Sequence, residues 1–224
     1  MSHATKALPR EHLVDIPAGF RHVRGILALP ERPEGVVAFA HGSGSGRFSP
    51  RNQQVAAALR DAGLATLLVD LLEEDEARDR RNVFDIGLLA SRVVATVDWL
   101  DRDPRIGGLR QGLFGASTGA AAALVAAARR PESVAAVVSR GGRPDLAADD
   151  LAEVRAPTLL LVGGQDVDVL DLNRRALRLL TCPGQLVVIP GATHLFPEPG
   201  ALGEVSRLAA AWFITQLTTR DGTH

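Results

Sequence analysis

The sequence predicts an α/β domain, a doubly wound and mostly parallel sheet of eight strands with helices on both faces. Three observations carry this. Short β-branched or Leu-rich runs alternate with longer helical patterns along the 224 residues. Most of the runs lack polar alternation, as strands covered on both faces do. Helical stretches end at Gly or Pro, the residues that stop a helix.

The elements follow in order. Residues 11–16 and 21–28 read as an N-terminal antiparallel pair with Gly19 in the turn. Further strand-like runs lie at 35–40, 65–70, 111–115, 134–139, 158–163 and 185–189, most of them expected to be buried on both faces. Helices are expected over 50–62, opened by a Pro and closed by Gly63, and over 83–103, where Ile86, Leu89, Val93, Val97 and Leu100 recur at three-to-four spacing before Pro104. Further helices are expected at 118–130, 169–180 and 201–218, with one short helix around 145–154. The acidic run 73–76, followed by Arg78, Arg80 and Arg81, reads as a solvated loop.

Composition narrows the class. Apolar residues make up 46% and charged residues 23%, enough for a sizeable core. Twenty-five basic residues against 26 acidic ones leave a formal charge of −1, so no electrostatic feature calls for nucleic acid or an anionic membrane. All the basic residues except Lys6 are arginine, a bias of composition. The lone Cys182 excludes an internal disulfide framework and a thiolate metal cluster. There is no apolar run of about 18 residues and no secretory core near Met1. The expectation is one cytoplasmic domain over 1–224, monomer or homodimer, with flexible tails at 1–10 and 219–224.

Chemistry concentrates at strand ends. Gly115-Ala116-Ser117-Thr118-Gly119 lies between an apolar run and an Ala-rich helix. A sharp strand-to-helix turn there would strain the serine backbone and push its hydroxyl out at the sheet edge, beside the positive end of the following helix. Ser is also an ordinary helix cap, so the pentapeptide by itself decides little. Asp166 just past run 158–163 and His194 just past run 185–189 add a carboxylate and an imidazole at the same edge. The order Ser117, Asp166, His194 suits a nucleophile, an orienting acid and a general base. A loop histidine is commonly just solvated, but the other two groups favour the catalytic reading. Asp168 competes with Asp166, whereas Asp171 suits the helix dipole. The fourth element is His41-Gly-Ser-Gly-Ser-Gly46-Arg47 after run 35–40, which can expose backbone amides. The amides of Ser43 and Thr118 are the expected oxyanion-hole donors. His41 is expected to brace this loop. A phosphate loop is the rival reading, disfavoured because Gly46 is followed by Arg47 instead of Lys-Ser/Thr.

These four motifs, in this order, resemble the α/β-hydrolase superfamily, and within it the small lidless hydrolases related to dienelactone hydrolase. The similarity runs from about residue 22 to 217. It implies an α/β-hydrolase fold without a large cap. It also implies acyl transfer from a small ester to water through Ser117, His194 and Asp166, with no cofactor and no metal. Dienelactone hydrolases proper use a cysteine nucleophile. Serine stands at 117 here, so dienelactone itself is not the implied substrate. Gly44, Arg47, Arg140 and Arg143 are candidate substrate-binding residues. The arginines, with Arg51 beside the loop, suit a carboxylate-bearing substrate, unless Arg140 and Arg143 only pair with Asp145, Asp149 or Glu153. Two alternatives stay open: an acyltransferase or amidase using the same triad, and a non-catalytic ligand-binding protein on the same scaffold.

Overall fold

Strand Arg10–Ala18 (β1) turns through Gly19 at φ +71° into Arg21–Leu29 (β2), and the two pair antiparallel from Arg10↔Leu29 to Ala18↔Arg21. The structure, a computed structural model, describes residues 9–218. The expected tails at 1–8 and 219–224 lie outside the described residues, and Arg10, expected in a tail, is the first residue of β1.

The remaining strands are Val36–Ala40 (β3), Ala65–Asp70 (β4), Gln111–Ala116 (β5), Val134–Arg140 (β6), Thr158–Gly163 (β7) and Gly184–Ile189 (β8). They form one sheet in the order β1-β2-β4-β3-β5-β6-β7-β8. Strand β2 is antiparallel to β1 and β4, and every pairing from β4 to β8 is parallel. The chain runs outward from β3 to β4, then returns to place β5 on the other side of β3. That reversal opens a crevice at the C-terminal ends of β3 and β5, where sheets of this type bind ligands.

Helices Pro50–Asp61 (α1), Glu74–Ala77 (α2), Arg80–Phe84 (α3), Ile86–Arg102 (α4), Thr118–Arg129 (α5), Val167–Leu179 (α6) and Ala201–Thr218 (α7) connect the strands. Val55, Ala56 and Leu59 of α1 and Val205, Ala209, Phe213 and Leu217 of α7 cover one face, with Val37, Phe39, Phe114 and Val138 of the sheet. The other face holds Leu89, Val93 and Val97 of α4, Ala121 to Ala127 of α5 and Ala176 of α6. Small side chains on α5 let it lie close to the sheet, and all of Thr118 to Ala127 is buried. Burial of a side chain such as Phe213 contributes about 2–3 kcal/mol. Among the described residues, no helix is long and apolar enough to cross a membrane.

Three expectations are corrected. The helix expected over 83–103 begins only at Ile86, because the Asp85 carboxylate accepts the Leu88 amide at 2.9 Å and caps it there. The acidic run is not a free loop but part of α2, with Glu73 and Glu76 in a reciprocal capping box. Glu73 also pairs with Arg21, while Glu76 pairs with the buried Arg92 at 2.9 Å. The helix expected at 145–154 is two single 3₁₀ turns, Pro144–Ala147 and Leu151–Glu153. Among the described residues no large cap covers the sheet edge, and the short helices α2 and α3 follow β4.

Candidate active site

Ser117 sits between β5 and α5 with φ 52° and ψ −124°, a conformation that side chains other than glycine rarely adopt. Its neighbours enforce it. The Ser117 amide donates to the Arg140 carbonyl at 3.3 Å, and its own carbonyl accepts from Ala120 and Arg143, both at 3.1 Å. The flanking glycines allow the turn to close. A Cβ at Gly119 would run into the carbonyl oxygens of Ala40 and His41, and one at Gly115 into the backbone of Ala120. The strained turn therefore exists because β3, β5 and α5 approach at backbone distance.

Beyond β7, Asp166 occupies the N-cap position of α6 yet makes no capping bond. Its Oδ2 lies 2.6 Å from His194 Nδ1. The two loops are stapled by backbone bonds, Gly164 N–H to Ile189 and Gln165 N–H to Ala192, both at 2.9 Å. Glu198 fixes the histidine loop from the other side, accepting from the Thr193 amide at 3.0 Å and hydroxyl at 2.6 Å. With Nδ1 bonded to a carboxylate, the imidazole is held with Nε2 as its acceptor nitrogen. The loop after β6 connects this pair to the serine. Arg140 and Arg143 hold Ser117 through the backbone, and a Cβ at Gly141 would come within 3.0 Å of the His194 carbonyl oxygen. Of the rival carboxylates, Asp168 lies in the first turn of α6 and Asp171 pairs with Arg174 at 2.9 Å.

The loop after β3 approaches from the opposite side. A Cβ at Gly42 would meet Ser117 Cβ at 2.8 Å. His41 Nε2 accepts the Leu71 amide at 3.0 Å, so its proton sits on Nδ1 and donates to the Gly42 carbonyl at 2.9 Å. Burial pushes this imidazole below its usual range, partly offset by the bond to Gly42. A neutral ring thus clamps the loop to the residue after β4. Thr118 opens α5, so its amide has no carbonyl one turn earlier to reach. Ser43 and Thr118 both line a cavity of about 230 Å³. Gly44, at φ +68°, lines it too, and its far wall is apolar: Leu72, Ala77, Val83 and Leu89. That wall comes from the segment between β4 and α4, where the scattered Leu72, Ala77 and Val83 form no motif that would announce the role.

The four candidate arginine positions separate. Arg47 donates from backbone and side chain to Asp70, and Arg143 forms a two-point pair with Asp145 at 2.8 and 2.7 Å. Neither is the free charge expected of a basic rim, because a carboxylate inside the protein already holds each guanidinium. Arg140 and Arg51 have no carboxylate partner among the described residues. Cys182 lies before β8, its Sγ 3.9 Å from the Thr158 hydroxyl at the start of β7, so it is at the sheet edge opposite Ser117.

This arrangement has close counterparts. The model of the dienelactone hydrolase family matches residues 23–215. The chain belongs to the dienelactone hydrolase family. Its fold is therefore an α/β-hydrolase fold without a large cap among the described residues. A crystal structure of a dienelactone hydrolase from Anabaena variabilis shares 54% identity, covers 94% of this chain and 100% of its own, and superposes with a TM-score of 0.92. Est1E of Butyrivibrio proteoclasticus shares the fold alone, at 16% identity and a TM-score of 0.79 over 92% of this chain and 99% of its own. A Mycobacterium tuberculosis protein named "Putative phosphoribosyl transferase" is 57% identical over 208 residues, covering 93% of this chain and 47% of its own. The chain thus spans about half the length of these curated relatives.

Proposed function

We propose that this family member is a serine carboxylic-ester hydrolase whose triad is Ser117, His194 and Asp166. The observation that carries the reading is the 2.6 Å contact between His194 Nδ1 and an Asp166 carboxylate left free of capping duty. Ser117 Oγ attacks the ester carbonyl carbon while His194 Nε2 takes its proton, and Asp166 steadies the imidazolium that forms. The amides of Ser43 and Thr118 receive the developing oxyanion. Loss of one such donor typically costs about 3–4 kcal/mol. The imidazolium protonates the departing alcohol as the C–O bond breaks, leaving an acyl-serine. His194 then deprotonates a water that attacks this ester, releasing a carboxylic acid and restoring the serine. The apolar cavity of about 230 Å³ beside Ser43 and Thr118 suits a short acyl group.

The phosphoribosyl transferase name belongs to a chain about twice as long, and the reading here rests on the half that matches. The test is fluorophosphonate labelling together with hydrolysis of p-nitrophenyl acetate, in wild type and Ser117→Ala. Labelling and turnover in the wild type, both lost in the variant, support the reading. A folded wild type with neither overturns it.

A further inference from the structure

The loop that carries the Ser43 amide is built from two consecutive turns. The Ser45 amide donates to the Gly42 carbonyl at 3.2 Å and closes the first, with Ser43 and Gly44 at its centre. The Ser49 amide donates to the Gly46 carbonyl at 3.0 Å and closes the second, with Arg47 and Phe48 at its centre. As the first central residue, Ser43 does not use its amide in the turn, which leaves that donor for a ligand. Gly42, Gly44 and Gly46 alternate through the first turn, so the segment has little stiffness of its own. Whatever fixes the Ser43 amide must come from outside it.

Two anchors do so, and they lie on adjacent residues at the C-terminal end of β4. On the nucleophile side, His41 Nε2 accepts the Leu71 amide while Nδ1 donates to the Gly42 carbonyl. On the far side the anchor is the Asp70 carboxylate. Its Oδ1 accepts the Arg47 amide at 2.7 Å, and its Oδ2 accepts the Arg47 guanidinium. A Cβ at Gly46 would fall 2.7 Å from Asp70 Oδ1, so the loop backbone runs directly against this carboxylate. Gln53 of α1 holds the same turn from behind, its Nε2 donating to the Arg47 carbonyl at 2.8 Å. Asp70 also lines the cavity that Ser43, Gly44 and Thr118 share. A bare carboxylate there would repel an oxyanion, and the Arg47 charge cancels it.

We propose that Asp70 is a positioning residue, which through Arg47 sets the Ser43 amide to face the oxyanion formed at Ser117. Its part in catalysis rests on the hydrolase reading, whereas the anchoring of residues 42–49 does not. Arg47 then serves the reaction by fixing the loop and neutralising Asp70.

The test compares Asp70→Ala and Asp70→Asn with the control Asp98→Ala. Asp98 pairs with Arg130, and its side chain is 27% exposed, as is that of Asp70, so the control removes a similar ion pair remote from Ser43. Asp70→Ala should lower kcat for p-nitrophenyl acetate about 100-fold, as a displaced oxyanion donor does, and leave KM within about threefold. Asp70→Asn keeps an oxygen for the Arg47 amide and should recover about tenfold of that loss. Asp98→Ala should leave kcat within about twofold of wild type. A trifluoromethyl ketone forms an oxyanion on the nucleophile, so its inhibition constant should rise in Asp70→Ala by the factor that kcat/KM falls. If Asp70→Ala fails to fold, Arg47→Gln takes its place, breaking the side-chain bond and leaving the Asp70 charge uncancelled; its kcat should fall about tenfold.

Hydrogen exchange reads the anchor without turnover. Peptides over residues 42–49 should exchange faster in Asp70→Ala, or in Arg47→Gln, than in wild type or Asp98→Ala. A wild type with no turnover defeats the hydrolase reading and the catalytic role with it, while exchange still decides the anchor. Unchanged exchange over 42–49 overturns the proposal. So does a kcat equal to wild type, a change confined to KM, or an Asp70→Asn as slow as Asp70→Ala.

Discussion

The carboxylate of Asp166 stands at the head of α6 but leaves that helix uncapped and instead lies 2.6 Å from the Nδ1 of His194. A residue that forgoes the usual capping bond, typically worth about 1 kcal/mol, points to a role at its other partner. Asp166→Asn keeps the size of the side chain but can hold the ring in the wrong tautomer. Its kcat for p-nitrophenyl acetate should fall by about 10³–10⁴ with little change in melting temperature. A loss of less than tenfold would remove Asp166 from the proposed triad.

Ser117 is held at φ 52° by three backbone hydrogen bonds. Glycine occupies that region without the side-chain penalty. Ser117→Gly should therefore be inactive yet more stable than wild type by about 1 kcal/mol in urea unfolding. Ser117→Ala, which keeps a Cβ, should show no such gain. Equal stability of the two variants would mean that the turn stores no strain.

His41 is a half-buried ring that uses one nitrogen as donor and the other as acceptor, so protonation breaks its bond to the Leu71 amide. Its folded pKa lies below the unfolded value near 6.5, so acid favours the unfolded chain. The His41 contribution is complete above about pH 6.5 and declines below it, by at most about 1.4 kcal/mol per pH unit. The stability difference between wild type and His41→Gln, followed by denaturant melts from pH 7.5 to 5, should shrink towards acid. A difference that stays constant across that range would contradict the clamp.

Glu76 and Arg92 form an ion pair with side chains 12% and 8% exposed, and Arg92 also donates to the Ala18 carbonyl. Glu76→Leu would leave a buried cation with only that carbonyl. It should cost about 3–5 kcal/mol in urea unfolding and loosen α2 from α4. The double variant Glu76→Leu/Arg92→Met should recover much of that loss. No recovery would show that the pair acts through something other than its charge.

Much of the fold was legible because its signals are local. Mostly apolar runs marked β3 to β8 within a residue or two, and Gly19, Gly63 and Pro104 marked the ends of elements. The helix start at Ile86 was missed because apolar periodicity extends back to Val83, while a single Asp85 carboxylate decides where the helix is capped. The charged run 73–76 was misjudged for a related reason. Composition cannot show that Arg21 and Arg92, distant in sequence, supply the opposite charges.

By itself, the sequence determined the alternation of strands and helices and the placing of Ser117, Asp166 and His194 just past the ends of β5, β7 and β8. These follow from periodicity and chain order, which are properties of neighbouring residues. Only the tertiary structure decided which carboxylate meets His194 and which arginines are already neutralised. Arg47, Arg51, Arg140 and Arg143 look alike in one dimension. Their difference is whether the fold brings a carboxylate within hydrogen-bond distance, as it does with Asp70 and Asp145 for the first and last. Charge pairing depends on distance in space, and the sequence records only distance along the chain.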